Sequence, residues 1–261
     1  MDLYLDRTVQ QWVLLAAGSA VLGLSRTGIR GASFLVIPVF AALFGGRASS
    51  GIVLVLLLLG DLVAIRRYRG AVSWRQVRTL LPSAIVGIVL GTVVGGLIPD
   101  RTFIRVLAVV ILLSAVLMWT RESSFRSVLS RAQFSSDALP PVVRTALSRG
   151  LGVLAGFTSM IGNAAGPLMT LYFLARGLNK ERFVGTAAWF FFFVNLIKVP
   201  FHIFVWDTIT GHTLILGIVL TPAILAGSFL GMGLTRVLSE RYFRWMMLVL
   251  VTVASVRLLV L

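Results

Sequence analysis

Eight long apolar runs, separated by short basic segments, constrain the fold of this chain more than any single motif. The runs span residues 9–44, 51–66, 79–98, 102–119, 147–175, 183–205, 213–235 and 242–260. A helix of about 20 apolar residues is long enough to cross the hydrocarbon core of a bilayer, which is roughly 30 Å thick. The runs therefore predict an all-α polytopic membrane protein.

The composition agrees with this prediction and excludes other classes of protein. Hydrophobic residues make up 58% of the chain and charged residues only 13%, which is typical of membrane proteins. A net charge of +15 would suggest nucleic acid as the partner of a soluble chain, but these basic residues lie in short loops that orient helices. We therefore expect contact with the lipid bilayer and none with nucleic acid. The lack of cysteine excludes disulfides, thiolate metal sites and a cysteine nucleophile.

The chain is an internal duplication. The stretch that begins at Gly23 is similar to the one that begins at Gly156, and the same holds for stretches ending at Gly91 and Gly231. Matched positions include Gly51 with Gly185, Asp61 with Asn195, Pro82 with Pro222, and Gly87 with Gly227. Between the halves lies a segment rich in serine, proline and charge. We predict a first membrane repeat at 1–119, a linker at 120–143 and a second repeat at 144–261.

The first apolar run of each half is interrupted by glycines and polar residues. Run 9–44 would reach about 52 Å as one helix, so it is either a long broken span or a hairpin that enters and leaves on one side. With hairpins, 16 of the 24 lysine and arginine residues fall on one side of the membrane, five on the other and three within it. If all eight runs cross, the split is 12 to 9. The positive-inside rule favours the hairpins.

Two hairpins leave three crossings in each half, so the halves should have opposite orientations in the membrane. This predicts two inverted repeats, each made of one re-entrant or broken helical hairpin and three transmembrane helices. The linker 120–143 is then cytoplasmic, and both termini lie outside. Inverted repeats whose broken helices meet near the midplane are typical of secondary transporters, which bind substrate at the repeat interface.

Two stretches resemble the signatures of one family. "GLSRTGIRGASFLVIP", from Gly23, resembles the first-repeat signature of the TauE/SafE family of sulfite and organosulfonate exporters, also called the four-toluene-sulfonate uptake permease type. The stretch from Gly156 to Phe201, "GFTSMIGNAAGPLMTLYFLARGLNKERFVGTAAWFFFFVNLIKVPF", resembles the second-repeat signature. The residues that match in order are Arg26, Thr186, Asn195, Lys198 and Pro200. Two positions depart from the pattern: Arg30 stands where a small residue or proline is usual, and Asn163 where histidine is frequent.

The resemblance implies a multi-pass transporter of the bacterial cytoplasmic (inner) membrane. Such a protein exports a small sulfur-containing anion such as sulfite, thiosulfate or an organosulfonate, and it has no enzymatic activity and no cofactor. A passive anion channel and a carrier for a carboxylate-type anion stay open as alternatives, as does a homodimer. A membrane-embedded enzyme is disfavoured, because the nine acidic residues lie mostly in loops and the two histidines are far apart.

The hairpin tips are the predicted anion site. Sulfite and sulfonate oxygens suit a guanidinium fork, backbone N–H groups at a helix start, and small hydroxyl or amide donors. A charge inside a hydrocarbon layer also requires a functional or structural reason. The expected substrate-binding residues are Arg26, Thr27, Gly28, Arg30 and Gly31 in the first hairpin, Thr158, Ser159 and Asn163 in the second, and Asn195 and Lys198 in the next helix.

Most of these assignments have structural alternatives. The hydroxyls of Thr27, Thr158 and Ser159 could satisfy a helix end, Asn163 and Asn195 could bridge helices by hydrogen bonds, and Arg30 could pair with Asp61. Asp61 is the one carboxylate placed well inside an apolar run, and we expect it to be either the counter-ion of Arg26 or a proton carrier. If it is only a counter-ion, Arg26 could serve the fold without binding a ligand. Lys198 could instead extend along its helix to the membrane surface.

Overall fold

The described part of the chain is helical and has no strands. The computed structural model describes residues 7–27, 32–119 and 140–234. Five of the described helices lie before residue 120: α1 (Val9–Thr27), α2 (Ser33–Phe44), α3 (Gly46–Arg67), α4 (Trp74–Leu97) and α5 (Asp100–Trp119). Four begin after residue 140: α6 (Pro141–Gly162), which starts within the predicted linker 120–143, α7 (Gly166–Ala175), α8 (Lys180–Phe204) and α9 (Gly211–Leu234). The predicted all-α class is confirmed, and the last apolar run, 242–260, lies outside the described residues.

Four helices within the described ranges are long and apolar enough to cross a membrane. They are Gly46–Arg67, Trp74–Leu97, Glu181–Phe204 and Gly211–Gly233, which correspond to α3, α4, α8 and α9. A polytopic membrane protein is thus confirmed. The third crossing of each half, which we assign to α5 and to residues 242–260, stays a prediction, as do the boundaries of the two repeats and the linker.

Each interrupted apolar run folds back on itself as two helices. In the first, the Arg7 guanidinium donates to the carbonyl of Leu43 at 3.2 Å and lies 4.5 Å from the ring of Phe44. The start of α1 therefore lies beside the end of α2. In the second, Arg176 after α7 donates to the Ser148 hydroxyl of α6 at 2.8 Å. Both runs have the hairpin shape that the charge distribution predicts, while the membrane side of each hairpin stays a prediction.

The hairpins pack against the opposite half of the chain in the same way. Helix α1 lies along α9, and α6 lies along α4. The glycine contacts are Gly23 with Ile224, Gly227 with Ala20, Gly156 with Ala84, and Gly87 with Val153. A Cβ atom at any of these four glycines would collide with the partner's carbonyl oxygen, so only glycine permits the close approach. Since the four glycines are two matched pairs of the duplication, the two contacts are equivalent.

Helices α3 and α8, which are matched in the duplication, run antiparallel. Near one end Gly51 lies against Thr208, and in the middle Asp61 accepts a hydrogen bond from Asn195. Beyond the other end of α3, the backbone N–H of Ser73 donates to Thr186 at 2.9 Å. Residue numbers thus rise along one helix as they fall along the other. This is the relative direction that inverted repeats require, and the inverted orientation in a membrane stays a prediction.

Candidate functional site

Polar side chains line the contact between α3 and α8. Asp61 on α3 is 0% exposed, and Asn195 and Lys198 on α8 are 1% and 0% exposed. The two α8 residues are three positions apart, so they lie on one face of that helix. Buried charges of this kind must be paired or hydrogen-bonded to be tolerated. Asp61 and Asn195 bond to each other, and the other partners come from the two hairpins.

The first hairpin contributes Arg26, in the last turn of α1. Its Nε atom lies 3.3 Å from Oδ1 of Asp61, and its guanidinium lies 5.2 Å from the centre of the Phe191 ring. The other carboxylate oxygen, Oδ2, accepts a hydrogen bond of 2.7 Å from the Asn195 side chain. Asp61 therefore joins a residue of the first hairpin to a residue of α8.

The second hairpin holds the Lys198 ammonium. Nζ donates to the backbone carbonyl of Ser159 at 2.8 Å and to Oδ1 of Asn163 at 2.5 Å. The Ser159 hydroxyl and Oδ1 of Asn195 each lie 3.5 Å away. All four acceptors are uncharged. Lys198 thus points into the protein, and the alternative in which it reaches the membrane surface does not describe this structure.

Asn163 shapes the tip of the second hairpin. Its φ angle of 52° is left-handed, a conformation that asparagine tolerates better than most residues, and it ends α6. Its backbone N–H donates to the Ser159 carbonyl at 2.9 Å, and its side-chain amide donates to the carbonyl of Ser50 on α3 at 3.4 Å. The turn therefore directs Oδ1 of Asn163 towards Lys198.

These contacts join six predicted site residues in one buried group, which we call the central cluster: Arg26, Asp61, Ser159, Asn163, Asn195 and Lys198. The cluster contains two basic side chains and one acidic side chain, so its formal charge is +1 when all three are ionised. Among the described residues, Asp61 pairs with Arg26, and no carboxylate forms an ion pair with Lys198. Because the cluster is buried, an uncompensated positive charge there would interact with an anion more strongly than a charge at the surface.

Two predicted site residues use their hydroxyls for hydrogen bonds to helix carbonyls instead. The Thr27 hydroxyl donates to the Ser228 carbonyl at 2.6 Å, which ties α1 to α9. The Thr158 hydroxyl donates to the Leu154 carbonyl of its own helix at 2.8 Å. The remaining three, Gly28, Arg30 and Gly31, lie outside the described residues.

Sequence reasoning misses two contacts of the cluster. Ser50 precedes Gly51, a matched glycine of the duplication, and that position is a signal that could have indicated a close contact. Phe191 lies within a run of four phenylalanines, and nothing in the sequence distinguishes the ring that faces Arg26.

A comparison of the sequence with known protein families identifies the family of this chain. Residues 13–258 match the family described as Sulfite exporter TauE/SafE. The chain belongs to this family. No curated protein and no solved structure matches it. Membership in TauE/SafE confirms the resemblance drawn from the two signatures, and it identifies a membrane transporter of the sulfite exporter type.

Proposed function

We propose that this TauE/SafE chain is a secondary transporter that exports a small sulfur-containing anion, namely sulfite, thiosulfate or an organosulfonate, and that the anion binds at the central cluster. The observation that carries the proposal is the imbalance of charge there. Two bases and one acid meet between the two hairpins, and one of the bases, Lys198, contacts only neutral oxygens. A bound anion supplies the missing counter-charge.

The donors of the cluster suit an oxyanion with several oxygens. Arg26 uses its Nε side to face Asp61, and the described residues supply no hydrogen-bond acceptor to its two terminal nitrogens. Those nitrogens form the planar fork that binds two oxygens of one anion. The Lys198 ammonium adds a compact charge, and it exchanges a neutral partner for the anion. Such an exchange offsets part of the cost of removing the anion from water.

The packing of the two halves supports an alternating-access transporter. Each hairpin is fastened by its glycines to a helix of the other half, which gives two equivalent units, α1 with α9 and α6 with α4. The central cluster lies where the two hairpins meet α3 and α8. Movement of one unit against the other would open the cluster to one side of the membrane at a time, as in transporters built from inverted repeats.

Export needs no energy source beyond the membrane potential. A negative interior favours the exit of an anion by roughly 2.3 kcal/mol per charge per 100 mV. A uniporter is therefore sufficient, and a proton carried on Asp61 would add a second driving force. Arg26 is 14% exposed at its side chain and the other cluster residues are 0 to 9% exposed, so the cluster is closed in this conformation. Closure favours a carrier over an open channel.

Flux measured in proteoliposomes tests the proposal. Purified protein is reconstituted, and efflux of radiolabelled sulfite, thiosulfate and methanesulfonate is followed with acetate as the carboxylate comparison. We expect saturable flux of at least one sulfur anion and faster efflux when unlabelled anion is present outside, since a carrier exchanges substrate across the membrane. The Arg182→Ala variant, which removes an exposed positive charge, should behave as the wild type.

Other results would redirect or overturn the proposal. Flux that rises linearly with concentration, without acceleration by external anion, indicates a channel. Saturable flux of acetate alone assigns the site to carboxylates. Absence of flux for all four anions in well-folded protein contradicts an anion transporter.

A further inference from the structure

His202 is a buried polar residue to which the proposed site gives no role. It lies on α8, four residues and therefore about one helical turn beyond Lys198, and it is 0% exposed. The spacing of Asn195, Lys198 and His202 places all three on the same side of α8. The imidazole is thus the next polar group along this face towards the Val205 end of the helix.

One nitrogen of the imidazole is held and the other is not. Nδ1 lies 2.7 Å from the hydroxyl of Thr208, which follows α8, and the backbone N–H of Thr208 donates to the His202 carbonyl at 2.8 Å. Nε2 is buried and has no hydrogen-bond partner among the described residues. A buried nitrogen without a partner costs stability, and a ligand that bound it would remove that cost.

The His202 and Thr208 pair adjoins the central cluster through α3. Gly51 lies directly against Thr208, while the carbonyl of the preceding residue, Ser50, accepts the hydrogen bond from Asn163. Consecutive residues of one helix therefore contact the pair and the cluster. The His202 and Thr208 pair and the central cluster thus contact adjacent residues of α3, and His202 lies about one turn from Lys198 along α8.

Aromatic rings also pack on the imidazole of His202. The Trp206 ring lies 5.0 Å from the His202 ring in an edge-to-face arrangement, and its indole N–H donates to the Thr92 carbonyl at 3.0 Å. Phe103 packs edge-to-face on Trp206 at 5.4 Å. These contacts restrict the movement of the imidazole ring.

We propose that His202 is a second contact for the transported anion. In the neutral tautomer whose Nδ1 accepts a hydrogen bond from the Thr208 hydroxyl, Nε2–H is a donor without a partner among the described residues, and it binds an oxygen of the sulfur anion after that anion leaves Lys198. A neutral donor suits this position, because a site along a transport path must bind strongly enough to accept the anion and weakly enough to release it. The inference rests on the proposed function, and it adds a specific step to the path.

Substitution of His202 separates transport rate from binding at the cluster. His202→Leu removes the donor, and we expect its maximal efflux of sulfite to fall about tenfold, the equivalent of one hydrogen bond. The Kd for sulfite in detergent should stay near the wild-type value, since the cluster is intact. His202→Gln keeps a donor close to the Nε2 position and should retain most of the flux. His212→Leu, at the start of α9, is the matched control and should be unaffected.

Nuclear magnetic resonance tests the contact directly, even if His202→Leu fails to fold. The chain has two histidines, so His212→Gln leaves His202 as the only one. With 15N-labelled histidine in lipid nanodiscs at constant pH, sulfite should shift the Nε2 resonance more than the Nδ1 resonance, and equal ionic strength of chloride should not. A role limited to packing would leave Nε2 unchanged.

The outcomes separate the inference from the function on which it rests. If the wild type transports sulfite and Arg26→Ala weakens binding, but His202→Leu has wild-type flux or Nε2 does not shift, only the inference is wrong. If the wild type neither binds nor transports a sulfur anion, both are wrong. Reduced flux in His202→Leu together with an Nε2 shift supports both.

Discussion

The two basic side chains of the central cluster differ in what neutralises them. Arg26, from the first hairpin, lies 3.3 Å from the Asp61 carboxylate. Lys198, from α8, is bound by the carbonyl of Ser159 and the side-chain oxygen of Asn163, neither of which carries charge. The charge of Arg26 is therefore compensated within the protein and the charge of Lys198 is not. If an anion binds at the cluster, as we propose, we expect it to gain most free energy beside Lys198.

The duplication shows how this asymmetry arises. Asp61 and Asn195 occupy matched positions and are hydrogen-bonded to each other, so one half supplies a carboxylate where the other supplies an amide. Arg26 is likewise matched with Ser159. Helix packing has stayed equivalent in the two halves, while the polar residues at their contact have diverged. Equivalent glycine contacts in the two halves thus accompany a cluster whose formal charge is unbalanced.

Replacement of Lys198 by methionine should have the largest effect. Methionine has a similar length and no charge, so we expect sulfite affinity and saturable flux to fall by at least about a hundredfold, as when one partner of a buried charge pair is removed. Stability should fall by only about 1–3 kcal/mol, because Asn163 loses its donor. Calorimetric titration and denaturant unfolding measure the two effects. Wild-type affinity in Lys198→Met would show that the anion does not bind beside this residue.

Replacement of Arg26 should affect affinity less and stability more. Arg26→Ala leaves the buried Asp61 without its cation, which costs about 3–5 kcal/mol. The double variant Arg26→Ala, Asp61→Asn should recover most of that loss. We expect sulfite binding to weaken about tenfold in Arg26→Ala, the equivalent of one or two charged hydrogen bonds, and by less in the double variant, which also loses the negative charge of Asp61. Arg26→Lys keeps the ion pair but loses the planar fork, so it should lie between these variants and the wild type.

Chemical unfolding and sulfite titration of the four proteins decide the role of Arg26. If folded Arg26→Ala binds sulfite as tightly as the wild type, Arg26 is not part of the anion site. Its ion pair with Asp61 would then serve the fold alone, which is the structural alternative that the sequence leaves open.

Asp61→Asn by itself should produce a smaller, opposite change. The cluster keeps its hydrogen-bonding side chains but loses its one negative charge, so sulfite should bind a few-fold more tightly and leave more slowly. If Asp61 also carries a proton, the variant loses the dependence of flux on an imposed pH gradient. Efflux measured with and without that gradient separates the two roles. Unchanged stability, affinity and gradient dependence would contradict both.

Much of the fold could be predicted from sequence because it depends on hydrophobicity and charge along the chain. Apolar runs give the helices, and the bias of basic residues selects hairpins over long broken spans, as the contact of Arg7 with Leu43 illustrates. The duplication identifies the glycines at which helices approach most closely, such as Gly87 and Gly227. Small residues at such contacts are a general requirement of packing between membrane helices.

The partners within the site could not be predicted, because they depend on the register between helices distant in sequence. Nothing near Lys198 in the chain indicates that its ammonium contacts the left-handed turn at Asn163, a contact set by the packing of α8 on the second hairpin. The same holds for Ser159 and Thr158. Their hydroxyls are equally plausible donors in sequence, and only the rotation of α6 turns one towards the cluster.

The orientation of α6 about its axis leads to the prediction with the smallest expected effect on sulfite affinity. The Ser159 hydroxyl lies 3.5 Å from Nζ of Lys198, and its backbone carbonyl, at 2.8 Å, is the stronger acceptor. Ser159→Ala keeps the carbonyl, so sulfite affinity should weaken by only about two- to fivefold, the value of one weak hydrogen bond. Thr158→Val removes a hydroxyl that bonds to its own helix and should leave affinity unchanged. Parallel titrations compare the neighbours, and a larger loss in Thr158→Val would mean that α6 turns the other hydroxyl towards the anion when substrate is bound.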